Sequence, residues 1–167
     1  ACELGNALRG LGLIEQAAQL YQQALALDPT HSTARFNLGL SMSDLEDYEG
    51  AIAQFDIVAQ LEPVDVDALV EKASCHLALG RHDEAAAVYL SALELQPDCA
   101  EAYGGLGLVY YAMGLHDLAA EQYQQASRLA PEDPWAHYNL GLACEAAGRH
   151  AEADACFEEA VKLGAAR

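Results

Sequence analysis

Four prolines divide the chain at a constant interval. Pro29, Pro63, Pro97 and Pro131 follow one another every 34 residues, and each ends a similar phrase of sequence. The phrases are YQQALALDP, FDIVAQLEP, YLSALELQP and YQQASRLAP, and a fifth, FEEAVKLGA, lacks the proline. Self-similarity at a fixed period of this length is typical of folds that stack one structural unit on the next. The period therefore constrains the fold more strongly than the composition does.

Alanine and aromatic residues keep the same period. The alanine positions are Ala17, Ala51, Ala85, Ala119 and Ala153. The aromatic positions are Tyr21, Phe55, Tyr89, Tyr123 and Phe157. Alanine, leucine, glutamate and glutamine dominate the chain, and these residues favour helices. Each unit is therefore predicted to be a pair of helices.

Glycine and proline mark the expected helix ends in the fourth unit. Gly114 is placed where the first helix stops, because glycine accepts a left-handed C-terminal conformation without strain. Pro131 ends the second helix, and Asp133 with Pro134 suits the start of the next one. Gly107 and Ala119 are expected where two helix backbones approach closely, with Tyr110 and Tyr123 filling the space beside them.

The pattern resembles the tetratricopeptide repeat (TPR) family over essentially the whole chain. The resemblance implies an all-α fold: a right-handed α-solenoid of antiparallel helix pairs, or TPR superhelix, in a single domain over residues 1–167. The expected repeats are 1–31, 32–65, 66–99, 100–133 and 134–167. Departures from the family pattern are Lys72 and His76 in place of an apolar pair, and Glu46 in the turn-glycine position.

The two ends of the chain carry an expectation of their own. The first repeat lacks its opening residues, and the helix that family members usually add after the last repeat is expected to be missing. Weak end-to-end self-association through the uncapped repeats is therefore predicted. The chain opens without Met, so we interpret it as a fragment of a longer protein.

The charge balance limits the classes of partner. The chain has 26 acidic and 8 basic side chains and a net charge of −18. Such a surface repels nucleic-acid phosphates and anionic lipids and favours basic partners. No apolar run reaches the roughly 20 residues that span a bilayer, so neither nucleic-acid binding nor membrane insertion is expected.

The cysteines favour a reducing, cytoplasmic location. The five cysteines form no CxxC motif, so the sequence predicts neither a disulfide framework nor a zinc site. A local disulfide between Cys144 and Cys156 remains open.

Catalytic motifs for phosphate binding, zinc hydrolysis and serine hydrolysis are absent from the sequence. We therefore expect no enzyme activity, cofactor or metal. His82, His116 and His150 recur once per repeat, which fits either a metal or pH-sensing column or, more simply, a position that begins each second helix. Lys72 and His76 share a helix face, and local packing against a carboxylate is the preferred interpretation.

The first helix of each repeat has apolar residues on the side opposite its core stripe, at about 100° per residue. In the TPR family this side lines the concave surface, and Gly104 and Gly105 leave a gap there. The predicted groove residues are Phe36, Asn37, Leu40, Val70, Leu77, Leu108, Tyr111, Trp135, Tyr138, Asn139 and Leu142. The predicted acidic rim is Asp67, Glu71, Glu101 and Glu145.

These residues predict a protein-interaction scaffold that binds a peptide or partner protein with apolar anchors and nearby Lys or Arg. One alternative is the recognition arm of a larger enzyme similar to O-linked N-acetylglucosamine transferase. Asn37 and Asn139 match the asparagines inside its repeats, whereas Glu3, Glu71 and Gly105 do not. A second alternative is a self-assembling structural scaffold.

A family subclass that grips acidic C-termini of chaperones with a carboxylate clamp is disfavoured. Asn6 and Asn37 match its two asparagine positions, but Cys2, Asp67 and Glu71 stand in its cationic positions. An acidic tail would meet like charge there.

Overall fold

The structure, a computed structural model, describes residues 2–164. Within this range the chain forms ten α-helices, and short loops such as 45–47 connect them, which confirms the predicted all-α helical repeat fold. Internal packing divides the chain into two compact units, Ala1–Arg81 and His82–Arg167. The division falls inside the expected third repeat. The single domain and its repeat boundaries remain predictions.

Unit 1 is a stack in which each helix packs on the next along the chain. Its helices are α1 (Cys2–Gly10), α2 (Ile14–Leu27), α3 (Ser32–Asp44), α4 (Tyr48–Leu61) and α5 (Val66–Ala78). The largest side chains of its core are the aromatic residues of the second helices, Tyr21 and Phe55, both 0% exposed. The 34-residue aromatic register therefore marks core positions.

Unit 2 repeats this arrangement. Its helices are α6 (His82–Leu95), α7 (Ala100–Ala112), α8 (His116–Leu129), α9 (Pro134–Ala146) and α10 (His150–Lys162). Tyr123 of α8 is buried with Leu140 and Cys144 of α9, and Phe157 of α10 packs against this cluster. The helices α6, α8 and α10 begin at the three periodic histidines, so the simpler interpretation of that position is confirmed.

Helix ends follow the sequence signals. Gly114 has a φ of 76°, and Glu46, which stands in the glycine position of the second repeat, has a φ of 62°. The turn therefore keeps its left-handed geometry even where the residue is not glycine. Asp133 begins α9 by accepting a hydrogen bond from the backbone N–H of Trp135 at 2.9 Å, and Pro134 occupies the first turn, as predicted.

The small residue Gly107 in α7 makes room for an aromatic ring. A Cβ added to Gly107 would lie 2.9 Å from Cδ1 and Cε1 of Tyr123. Tyr123 therefore fills the space beside Gly107, as predicted, while the close approach of the two helix backbones stays a prediction. Gly105 is likewise covered by the ring of Tyr89, so only Gly104 leaves the open gap that was expected at both positions.

Candidate functional site

In unit 1 the predicted groove residues are half-buried. Phe36, Asn37 and Leu40 lie on α3, and Val70 and Leu77 lie on α5. Phe36 and Leu40 pack against the core cluster that contains Phe55, and the rings of Phe36 and Phe55 are 5.6 Å apart in an edge-to-face arrangement. These side chains therefore serve the core as well as the surface.

Unit 2 exposes more apolar surface at the predicted positions. Trp135 is 58% exposed and Leu108 is 49% exposed. Tyr138 is half-buried, because its ring lies 5.6 Å from Phe157 and 5.9 Å from Trp135. Tyr111 also packs on the core cluster. Among the predicted aromatic anchors, Trp135 is thus the one that presents most of its surface to solvent, while Asn139 and Leu142 of α9 are half-buried.

A cleft of about 150 Å³ lies beside Trp135, between the N-terminal ends of α7 and α9. We call it the Trp135 cleft. Its principal lining residues are Glu101, Gly104, Tyr123, Asp133, Trp135 and Asn139. A Cβ at Gly104 would meet nothing within 4 Å, so the glycine keeps the cleft open. Burial, with nearby Tyr111 and Tyr89, raises the pKa of Tyr123 to about 12, so its phenol stays neutral.

A second cleft, of about 200 Å³, lies between the N-terminal ends of α3 and α5. We call it the Phe36 cleft. Its lining residues are Ser32, Thr33, Phe36, Glu62, Asp65 and Asp67. Asp65 accepts a hydrogen bond from the backbone N–H of Ala68 at 2.9 Å, and Glu62 accepts one from the hydroxyl of Ser32. Asp67 is exposed. The cleft therefore joins an aromatic ring to three carboxylates.

Asn37 belongs to a third opening, of about 320 Å³, that Asn6, Arg9, Tyr21 and Asp44 also line. Its Nδ2 donates to Oδ1 of Asn6 at 3.1 Å, and the hydroxyl of Tyr21 donates to the same oxygen at 2.7 Å. Arg9 pairs with Asp44 at 2.8 Å. The amide of Asn37 is thus engaged within unit 1, whereas Asn139 lines the Trp135 cleft in unit 2.

The predicted acidic rim is uneven. Asp67, Glu101 and Glu145 are exposed, whereas Glu71 is half-buried. Burial raises the pKa of Glu71 above its ordinary value, and Asp44 and Asp67 add to the rise, while Arg9 opposes it. Folding therefore disfavours the charged form of Glu71.

Sequence reasoning did not identify Ser32, Thr33, Glu62, Asp65 and Asp133 as cleft residues. It considered one helix face at a time, whereas each cleft lies between two first helices and takes residues from the loop before the second of them. The signal that could have revealed them is the period. Asp65 and Asp133 share one repeat position, and so do Thr33 and Glu101.

Other reactive side chains have structural surroundings. Lys72 pairs with Asp56 of α4 at 2.5 Å, which agrees with the interpretation of local packing against a carboxylate. Burial raises the pKa of Cys75. Burial also raises the pKa values of Cys144 and Cys156, which are free thiols in the cluster around Tyr123. These thiols therefore stay protonated at neutral pH and are poor nucleophiles.

Within residues 2–164, no group of three or more His, Cys, Asp and Glu side chains is placed to hold a metal ion. No helix in the same range is long and apolar enough to cross a membrane.

Known proteins share both the fold and part of the sequence. A Hsp70-Hsp90 organizing protein from Triticum aestivum is 29% identical over 102 residues, which are 61% of this chain and 18% of that protein. The chain thus spans less than a fifth of this relative. A crystal structure of MamA is 28% identical with a TM-score of 0.83, covering 95% of this chain and 93% of that one.

YrrB, described as a TPR protein with an unusual peptide-binding site, has a TM-score of 0.73 at 22% identity, covering 98% of this chain and 84% of that one. At this identity the likeness concerns the fold alone.

Two family models account for the repeats. One, described as a tetratricopeptide repeat, matches residues 43–100, 86–134 and 105–167. Another, described as a TPR repeat, matches residues 5–45. The matches cover most of the chain and agree with its 34-residue period and its paired helices. The chain belongs to the tetratricopeptide repeat family.

Proposed function

We propose that the chain is a protein-interaction module without catalysis of its own. Its ligand is a peptide or an extended segment of a partner protein, bound along the predicted groove residues of the first helices. Apolar anchors of the ligand contact the exposed aromatic and aliphatic side chains, and basic residues of the ligand lie near the acidic rim.

The exposure of Trp135 is the observation that carries this proposal. Its indole is 58% exposed beside a cleft, although a side chain of this size usually gains most by burial. Tryptophan is enriched among the residues that dominate binding energy in protein interfaces. The Trp135 cleft, at about 150 Å³, is smaller than the roughly 300–1,000 Å³ of small-molecule sites. A side chain of a larger ligand therefore suits it better than a whole cofactor.

The comparisons support an interaction module. The wheat relative is named for organizing Hsp70 and Hsp90, and YrrB is described as having a peptide-binding site. A grip on acidic chaperone tails is not part of the proposal. Asp67 and Glu71 stand in the positions where that mechanism needs cations, and they would repel such a tail.

A displayed library of random peptides, selected on the full chain, tests the proposal. We expect enrichment of peptides that combine large apolar residues with Lys or Arg. Calorimetry then compares Trp135→Ala with Leu90→Ala, which also truncates an exposed apolar side chain but lies on α6, outside the predicted groove. Trp135→Ala should weaken binding by about 1–3 kcal/mol, and Leu90→Ala should leave it unchanged.

Two results would contradict the proposal. The first is a selection that enriches no peptide. The second is an equal loss of affinity in the two variants, because binding would then not depend on the predicted groove. Circular dichroism of both variants checks that they remain folded.

A further inference from the structure

The Phe36 cleft and the Trp135 cleft occupy the same position in the repeat. Each takes the second and fifth residues of one first helix, together with the N-cap and second residue of the next first helix. In the Phe36 cleft these positions hold Thr33, Phe36, Asp65 and Asp67. In the Trp135 cleft they hold Glu101, Gly104, Asp133 and Trp135. The two clefts belong to different units, so each unit contains a cleft built from the same repeat positions.

The aromatic ring and the exposed carboxylate exchange helices between the two clefts. In the Phe36 cleft, the aromatic ring of Phe36 belongs to the earlier helix, α3, and the carboxylate of Asp67 belongs to the later helix, α5. In the Trp135 cleft, the carboxylate of Glu101 belongs to the earlier helix, α7, and the ring of Trp135 belongs to the later helix, α9. Gly104 stands at the repeat position of Phe36, and a Cβ added there would meet no atom within 4 Å. At these four repeat positions each cleft thus has one aromatic ring and at least one exposed carboxylate, and Tyr123 of α8 adds a second ring to the Trp135 cleft.

Both clefts have a net negative charge. Among the described residues, the lining of each cleft includes carboxylates and no Lys or Arg. The N-terminus of each helix contributes only about half a positive charge. In the Trp135 cleft, Glu101 and Asp133 add two full negative charges against the two N-termini of α7 and α9. Stabilisation of the helix ends therefore accounts for only part of the negative charge.

The carboxylate of Glu101 has no strong partner to displace. It accepts one weak contact from Sγ of Cys99 at 3.7 Å and is exposed. Asp133, by contrast, is engaged with the backbone N–H of Trp135. A cavity of about 150 Å³ in a protein can accept a molecule the size of benzene, so the end of one long side chain fits the Trp135 cleft.

We infer that each cleft is a subsite for one Lys or Arg side chain of the partner, with the cation over the aromatic ring and hydrogen-bonded to the exposed carboxylate. A cation within about 6 Å of an indole is attracted to its face, and a carboxylate accepts charge-assisted hydrogen bonds from the same group. Glu101 and Trp135 supply these contacts in unit 2, and Asp67 and Phe36 supply them in unit 1. This inference rests on the proposed function and gives it a ligand chemistry.

The test uses a short alanine peptide, blocked at both ends, with one central arginine. Its control replaces arginine with citrulline, which has the same shape and no charge. Trp135 is the single tryptophan of the chain, so its indole N–H gives one nuclear magnetic resonance signal that reports the Trp135 cleft directly. We expect this signal to shift saturably with the arginine peptide, with an affinity about tenfold higher than for citrulline.

Charge-matched variants separate the subsite from the general acidity of the surface. Glu101→Gln should reduce the affinity for the arginine peptide toward that for citrulline. Glu121→Gln removes the same charge from an exposed position of α8 that belongs neither to the acidic rim nor to the cleft lining, and it should change little. Backbone amide signals of Asp67 and Thr33 report the Phe36 cleft in the same titration, where Asp67→Asn should reduce the preference for arginine.

The inference is overturned if the citrulline peptide binds as well as the arginine peptide, or if Glu121→Gln has the effect of Glu101→Gln. Library peptides that bind the chain without preference for basic residues would also overturn it, while leaving intact the proposed binding of a peptide through its apolar anchors. Conversely, saturable arginine binding alongside a library selection that enriches nothing would support the subsites and reject the wider groove.

Discussion

Three glycines within one helix, α7, allow a direct test of the packing. In a helix interior, alanine is more favourable than glycine by about 0.5–1 kcal/mol. A Cβ added at Gly104 would meet no atom within 4 Å outside the backbone of its own helix. Gly104→Ala should therefore raise the free energy of unfolding by about 0.5–1 kcal/mol.

The same substitution at Gly105 or Gly107 should destabilise the chain. A Cβ at Gly105 would lie 2.2 Å from Cζ of Tyr89, and one at Gly107 would lie 2.9 Å from Cδ1 of Tyr123. The two rings are only 2% and 4% exposed, so neither can swing into solvent. Overpacking costs about 1–3 kcal/mol. After the helix gain is subtracted, we expect net losses of about 2 kcal/mol for Gly105→Ala and about 1 kcal/mol for Gly107→Ala.

Urea unfolding followed by far-ultraviolet circular dichroism measures these differences, and the order of the midpoints is the decisive result. The Gly104 variant should unfold at a higher urea concentration than the unsubstituted chain, the Gly107 variant at a lower one, and the Gly105 variant at the lowest. If all three variants shift the midpoint in the same direction by similar amounts, the two rings do not lie on these glycines and the assigned register is wrong.

Three further predictions concern the core and the charges. Tyr123→Ala should lower the free energy of unfolding by about 3–5 kcal/mol, because it leaves a cavity between helices. Tyr138→Ala should lower it less in the same denaturation assay, because Tyr138 is only half-buried. Because folding raises the pKa of Glu71, the free energy of unfolding falls as the pH rises above 4.5, the ordinary pKa of this carboxyl. Glu71→Gln should therefore be more stable than the unsubstituted chain at neutral pH. Thermal melts should show that this advantage is lost below pH 4.5. Asp56→Asn should cost about 1 kcal/mol by leaving Lys72 without its ion pair, and equal losses at low and high salt would contradict this electrostatic origin.

Sequence alone determined the period, the paired helices and the main core positions. Glycine at a left-handed turn, proline after a helix and aspartate at an N-cap act within a few residues, so their effect can be read from local sequence. Gly114 and Asp133 were assigned their roles in this way, Tyr123 was assigned to the core from the 34-residue aromatic period, and the structure agrees. Repetition strengthened each assignment, because one residue type recurred at the same place in successive units.

Only the tertiary structure decided which of the predicted groove side chains is free to contact a ligand. Helical periodicity gives the face of a helix that a residue occupies, but not the side chain that arrives from the neighbouring helix. Tyr89 reaches from α6 to cover Gly105, while nothing covers Gly104 one residue earlier. Phe157 holds Tyr138 partly within the core and leaves Trp135 exposed. These outcomes depend on side-chain contacts between neighbouring helices, and the position of a residue on its own helix does not encode them.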